Sequence, residues 1–259
     1  MDPLNILTVC TGNICRSPLA EYHLKDTLDP HNFTISSAGT HAVQNGRVSD
    51  PQVAIARRLG LTNIVHHKAT QLTRRHIAQA DLILTATLGH RRSTVQILPS
   101  ASVKTFTIRE FAHLCSHVRE QDITELITNR LPLAKVAATA VHQLRGHVDP
   151  PDSSNDYNIS DPFGADEEAY ERSADQLLNA LYIVESYLTK VASVVQQSTV
   201  QQSTPLNTAF PTEGNPHPSG KHSYDPLNPE QLRMREQVSR RMREQLSQGK
   251  LPMRRRHAK

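Results

Sequence analysis

A short apolar run of strand type, Asn5–Cys10, passes through a polar loop directly into Ser17-Pro18, a pair suited to opening a helix. The serine hydroxyl can cap, and the proline ring presets the first turn. Leu24 and Leu28 then fall on one face of that helix. A strand that feeds a helix this quickly has to return its chain to the same sheet by a crossover, which favours parallel pairing. The alternation continues downstream. Phe33–Ser37 reads as a second strand, followed by a turn at Ala38-Gly39-Thr40. Asp50-Pro51 starts a helix carrying Val53, Ala56 and Leu59, and Gly60 stops it. Thr73–Ala80 is a short helix leading into the buried-strand run Asp81–Ala86, and Lys104–Ile108 is the fourth strand. Residues 120–145 read as helical with a break near Pro132, and a last helix covers about 165–191, with Leu177, Leu181, Val184 and Leu188 on one face. The expected fold is α/β: three layers, α/β/α, around a central four-stranded parallel sheet, with a disordered C-terminal tail. Ligands of such sheets bind beyond the carboxyl ends of the strands, which is where Cys10 lies.

The 259 residues allow one or two domains. The net charge of +4 invites a nucleic-acid reading, but the charge is unevenly placed. Residues 229–259 hold ten Lys/Arg against three Glu, which leaves 19 basic and 22 acidic residues in 1–228. No nucleic-acid partner is therefore expected for the body. The pentad Val195–Thr199 repeats as Val200–Thr204, and a stretch rich in Pro, Asn, Ser and Thr follows. Such composition buries too little apolar surface to offset ordering entropy. The expected organisation is a folded domain over 1–191, a disordered linker over 192–228 and a basic tail over 229–259. Within that tail, residues 230–247 carry a thin helical stripe, Met234, Val238, Met242 and Leu246. It reads first as a solvated helix, and second as a contact for an acidic partner or an anionic membrane surface. Three cysteines make no disulfide framework and favour a reducing compartment. The first residues lack the basic-then-apolar pattern of a signal peptide, and no run reaches the ~20 apolar residues of a membrane span. A cytoplasmic location is expected.

The loop Cys10-Thr11-Gly12-Asn13-Ile14-Cys15-Arg16-Ser17 has the chemistry to grip a tetrahedral dianion. Backbone N–H groups of a tight loop can converge on phosphate oxygens, and the helix amino terminus that follows adds positive potential. Gly12 is the position expected to take dihedrals that other residues resist. Arg16 supplies a planar, two-pronged donor. The same field stabilises a thiolate at Cys10 and makes it a nucleophile. Cys15 has two readings, packing or a reversible disulfide with Cys10, and Cys115 reads as a buried thiol. A lone Cys-x5-Arg means little by itself; its place between a strand and a helix gives it weight.

Cys10–Pro18 followed by Leu19-Ala20-Glu21 resembles the signature of the low-molecular-weight protein tyrosine phosphatases. The similarity extends through Ser36–Thr40, His67–Leu72, Ala80–Leu84 and Asp161-Pro162-Phe163, and so over about residues 1–190. The resemblance implies that Asp161 is the general acid, in a turn where Asp152, Asp156 and Asp166 would compete on spacing alone. It also implies that Asn13 and Ser17 support the loop, Ser17 as a donor to the thiolate, with His67 behind Asn13. The substrate wall falls to Val43, where the family usually has an aromatic residue, and to Phe163. Further departures are Gly164 after Phe163, Thr70 in place of an Arg, and Ala86-Thr87 in place of Met-Asp. Protein arginine phosphatases share the loop but resemble one another in having Thr at the position of Ile14, so Ile14 favours an aryl substrate. The expected activity is hydrolysis of phosphotyrosine in proteins through a phosphocysteine intermediate, without metal or other cofactor. The alternatives are a thiol-dependent arsenate reductase, which has a downstream cysteine pair this chain lacks, and a phosphopeptide-binding module without turnover.

Overall fold

Side chains alternate across the first strand, β1 (Leu4–Cys10), so that Leu4 and Ile6 face one hydrophobic cluster and Leu7 and Val9 another. A strand buried on both faces in this way sits inside a layered sheet. In the computed structural model, which describes residues 2–128 and 131–203, β1 pairs in parallel with β2 (Phe33–Gly39) and with β3 (Leu82–Thr85). β3 pairs in parallel with β4 (Thr105–Thr107), giving the strand order β2-β1-β3-β4. The connection leaves β1 toward β2 on one side and resumes at β3 on the other. The carboxyl end of β1, Cys10, therefore lies at the point where the strand order reverses, the usual position of a ligand crevice.

The larger cluster packs the first face against α1 (Arg16–Thr27), α2 (Asp50–Arg58), α5 (Ile108–Cys115), α6 (Glu120–Thr128), α7 (Leu133–Gln143) and α8 (Glu167–Ser203). Phe106 and Phe111 meet edge to face at 5.1 Å inside it, and Phe111 meets Tyr187 of α8 at 5.8 Å. The smaller cluster covers the second face with Ile77 of α3 (Arg74–Gln79), together with Leu72, Ala80 and Ala101. The remaining helix, α4 (Leu88–Ile97), follows β3.

The α/β/α architecture and parallel sheet agree with the sequence reading, and four details differ. First, α1 begins at Arg16 with Cys15 in the cap position, so Ser17 does not cap the helix; its hydroxyl is used elsewhere. Second and third, α4 and α5 were not anticipated. Of α4 only His90 and Thr94 are buried, so it carries no apolar stripe to betray it. Fourth, α8 does not stop at 191. It runs to Ser203 with Val191, Ala192 and Val195 buried, so the linker expected from 192 is helical at its start. Spacing of four between Val191 and Val195 keeps both on the buried face and outweighs the polar composition around them. The rest of that linker and the basic 230–247 stripe lie outside the described residues. Among the described residues, no helix is long and apolar enough to cross a membrane.

Candidate active site

The loop leaving β1 is held from outside by its carbonyls. Cys10 O accepts from Thr40 N at 2.9 Å, Thr11 O from His41 N at 3.0 Å and Gly12 O from Val43 N at 3.1 Å. Asn13 O pairs with His67 Nε2 at 2.9 Å, and Ile14 O accepts from Ser49 N at 3.0 Å. Five consecutive carbonyls are thus engaged by the 40–49 segment and His67. By contrast, no backbone N–H of Gly12 through Cys15 donates to a protein group among the described residues. Polar backbone groups this deep in a fold are almost always paired. A row of satisfied carbonyls with uncommitted amides is therefore a ready anion receptor.

The residue that bends the loop is Asn13, at φ 56°, and not Gly12, which is not in the left-handed region. Asn tolerates that region better than most side chains. The Asn13 side chain then ties the bend down. Its Nδ2 donates to Ser17 Oγ at 2.9 Å and Ser37 Oγ at 2.8 Å, and its Oδ1 accepts from Thr70 N at 2.8 Å. Because Thr70 contributes its backbone, the missing Arg there costs the network nothing. Ser37 Oγ donates to Glu21 Oε2 at 2.5 Å, and Glu21 also lies 3.7 Å from His67 Nδ1. Burial pushes the His67 pKa down from its ordinary value.

Ser17 completes the link to the sulfur: Cys10 Sγ and Ser17 Oγ are 2.9 Å apart. Ser17 Oγ accepts from Asn13, so its own proton is available to the sulfur. Arg16 is nearly sealed, with Nη1 on Ile159 O at 3.2 Å, Nη2 paired with Asp161 Oδ2, and a buried Nε that no protein group accepts. Asp161 keeps half of its side chain in solvent, and its Oδ1 accepts from Phe163 N at 3.2 Å. Cys15 is buried with Sγ 3.2 Å from Ser49 Oγ, and burial pushes its thiol pKa up. Cys115 is buried at the end of α5, remote in sequence from the loop, and its thiol is likewise pushed well up by burial.

Two apolar side chains stand out in water here, Val43 at 50% and Phe163 at 65% exposure. Val43 and Ile14 both crowd Gly12: a Cβ on Gly12 would lie 3.3 Å from Ile14 Cγ1 and 3.7 Å from Val43 Cγ2. The sequence reading assigns no role to Glu21, Ser37 or Thr70, although all three stand in the blocks that carry the resemblance, and it does not name His90. Their place in those blocks was the available signal, to which Glu21 adds an acidic side chain on the buried side of α1; His90 had none. Among the described residues, no three His, Cys, Asp or Glu side chains gather as metal ligands.

The family model for low molecular weight phosphotyrosine protein phosphatases matches residues 5–126. A putative low molecular weight protein-tyrosine-phosphatase of Klebsiella pneumoniae is 39% identical over 100 residues, covering 39% of this chain and 67% of that protein. A protein-arginine-phosphatase of Geobacillus stearothermophilus is 29% identical over 175 residues, covering 68% of this chain and 89% of that protein. The solved structure of the YwlE arginine phosphatase from the same organism superimposes with a TM-score of 0.51 at 26% identity, covering 78% of this chain and 99% of that one. A signature loop held by Asn13 and Ser17, on a 2-1-3-4 parallel sheet, agrees with these matches: the chain belongs to the low molecular weight phosphotyrosine protein phosphatase family.

Proposed function

We propose that this chain hydrolyses phosphotyrosine in proteins through a phosphocysteine intermediate. The observation that carries the proposal is the loop itself, with its carbonyls engaged outward and its amides and Arg16 Nε left uncommitted beside Cys10. Bound phosphoryl oxygens take those donors, and Arg16 turns its fork from Asp161 to the anion. The Cys10 thiolate attacks phosphorus as the bond from phosphorus to the leaving oxygen breaks. Asp161 delivers its proton to that oxygen. In the second step Asp161 takes a proton from water, the water oxygen bonds to phosphorus, and the S–P bond breaks to return the thiolate and inorganic phosphate. Ser17 stabilises the thiolate at both ends of the cycle.

The tyrosine reading is supported by the apolar residue at Ile14 and by Val43 and Phe163, whose exposed side chains offer apolar surface to a ring. A second reading, phosphoarginine, is supported by the Geobacillus relative, which is named a protein-arginine-phosphatase. Both use the same loop and nucleophile, and they differ in the wall. The test is turnover of a phosphotyrosine peptide, a phosphoarginine peptide, a small aryl phosphate and arsenate, side by side. Hydrolysis of the aryl substrates that vanishes in Cys10→Ser supports the proposal. Asp161→Ala should slow poor leaving groups more than good ones, and equal slowing of both would remove Asp161 from the acid role. Turnover of arsenate alone, or binding without turnover, would overturn the phosphatase reading.

A further inference from the structure

His90 lies in the first turn of α4, 8% exposed, with both ring nitrogens engaged. Nδ1 is 2.9 Å from Thr87 Oγ1 and Nε2 is 2.8 Å from Thr11 Oγ1. Thr87 Oγ1 also accepts the His90 backbone N–H at 3.2 Å, as the helix cap. The cap takes one of its two lone pairs, and its proton, which goes to no other protein group among the described residues, is free for Nδ1. With Thr87 donating in this way, Nδ1 is the acceptor and Nε2 carries the ring proton, which it donates to Thr11 Oγ1. Thr11 is the residue after the nucleophile, and with its oxygen accepting from His90 its own proton donates to no protein group among the described residues.

We infer that His90 is a positioning residue that turns the Thr11 hydroxyl into an additional donor to the phosphoryl oxygens. The inference rests on the phosphate-gripping reading of the loop and adds to it a side-chain donor, anchored through α4 to the end of β3. An arriving dianion strengthens the arrangement, because it accepts the Thr11 proton and so selects the ring tautomer protonated at Nε2. Burial first, and then the nearby Arg16 charge, hold His90 down to a pKa of about 4, so the ring stays neutral and keeps the acceptor nitrogen that Thr87 needs. A carboxylate in place of Thr87 could only accept, and it would draw the ring proton to Nδ1. The combination of Thr87 with His90 is therefore what releases Nε2–H toward the loop.

The test is a double-mutant cycle in the full chain with Thr11→Val and His90→Leu, read both as kcat/KM on an aryl phosphate and as the Kd for inorganic phosphate. Each single change should weaken both readouts about 10-fold, the scale of one hydrogen bond to a charged group, and the double variant should lose no more than either single one. His90→Gln, whose amide nitrogen reaches about as far as Nε2, should restore most of the loss. Additive losses, or a Gln variant as impaired as Leu, would overturn the inference, since a structural role alone gives both. Should wild type bind phosphate with the coupling intact yet turn over no ester, the phosphatase reading fails while the positioning role stands. Turnover with additive losses does the reverse. If His90→Leu does not fold, imidazole 15N shifts of the phosphate-bound wild type decide: Nε2–H supports the inference and Nδ1–H refutes it.

Discussion

Replacing Asn13 tests whether the loop is held by a side-chain network, by a backbone conformation, or by both. Asn13→Ala removes three hydrogen bonds, those to Ser17, Ser37 and Thr70, all at 2.8–2.9 Å and with Asn13 fully buried. At ~1 kcal/mol each, with a further penalty for the stranded Thr70 amide, the side-chain loss comes to about 3–4 kcal/mol. Alanine also has to occupy φ 56°, which costs an ordinary L-residue roughly 1–2 kcal/mol. Asn13→Gly removes the same bonds without that strain, and loses back part of the gain through the freedom of its unfolded chain. The glycine variant should therefore be the more stable of the two by about 1 kcal/mol. Urea unfolding curves give the stabilities, and kcat/KM on an aryl phosphate gives the loop's competence. Activity should fall more than 10-fold in both variants, because the uncommitted amides lose their common orientation. An alanine variant destabilised by less than about 1 kcal/mol would refute the network argument. Alanine and glycine variants of equal stability would refute the backbone argument.

Three further outcomes follow from the same geometry. His90 is held near a pKa of about 4 in the fold, whereas an unfolded chain protonates it near its ordinary value of 6.5. Its contribution is complete above pH 6.5 and is lost as the pH falls through 4, so wild type should lose about 3 kcal/mol more than His90→Gln between pH 7 and pH 4 in urea titrations; equal losses would contradict this. Limited iodoacetamide treatment followed by mass spectrometry should label Cys10, with protection by phosphate, and leave the buried, up-shifted Cys115 untouched until the fold opens. A chain ending at Ser203 should keep its melting temperature and its turnover of small substrates, whereas one ending at 191 gives up the buried Ala192 and Val195 and should melt roughly 5 °C lower or more.

The strand, loop and first helix were legible in the sequence because each carries its own local signal: an apolar run, a polar loop of fixed spacing, and a proline in a first turn. The identity of the bending residue was not. Gly12 is the statistical choice for an unusual dihedral, and only the bonds converging on Asn13 from Ser17, Ser37 and Thr70 make Asn the residue that takes it. Thr70 acts through its backbone, so no side chain at that position could have announced the contact. His90 was hidden for a related reason: α4 buries a histidine and a threonine where periodicity looks for leucines. The carboxyl end of α8 misled through composition, because a repeat rich in Gln, Ser and Thr reads as linker unless the Val191–Val195 spacing is weighed against it.

Gly39 closes β2, and a Cβ placed there would come within 2.4 Å of the Thr11 carbonyl oxygen and 3.0 Å of Asn13 N. The second strand thus acts as a mould against which the Cys10–Ser17 loop is cast. Transplanting Cys10–Ser17 onto another strand–helix junction would carry the letters without the shape, since the surface that sets the curvature belongs to a segment more than twenty residues downstream. Engineers wishing to move this chemistry to a new scaffold would have to move the end of β2 with it. For the same reason, substitutions at Gly39 should register first as lost phosphate affinity, ahead of any loss of the sheet.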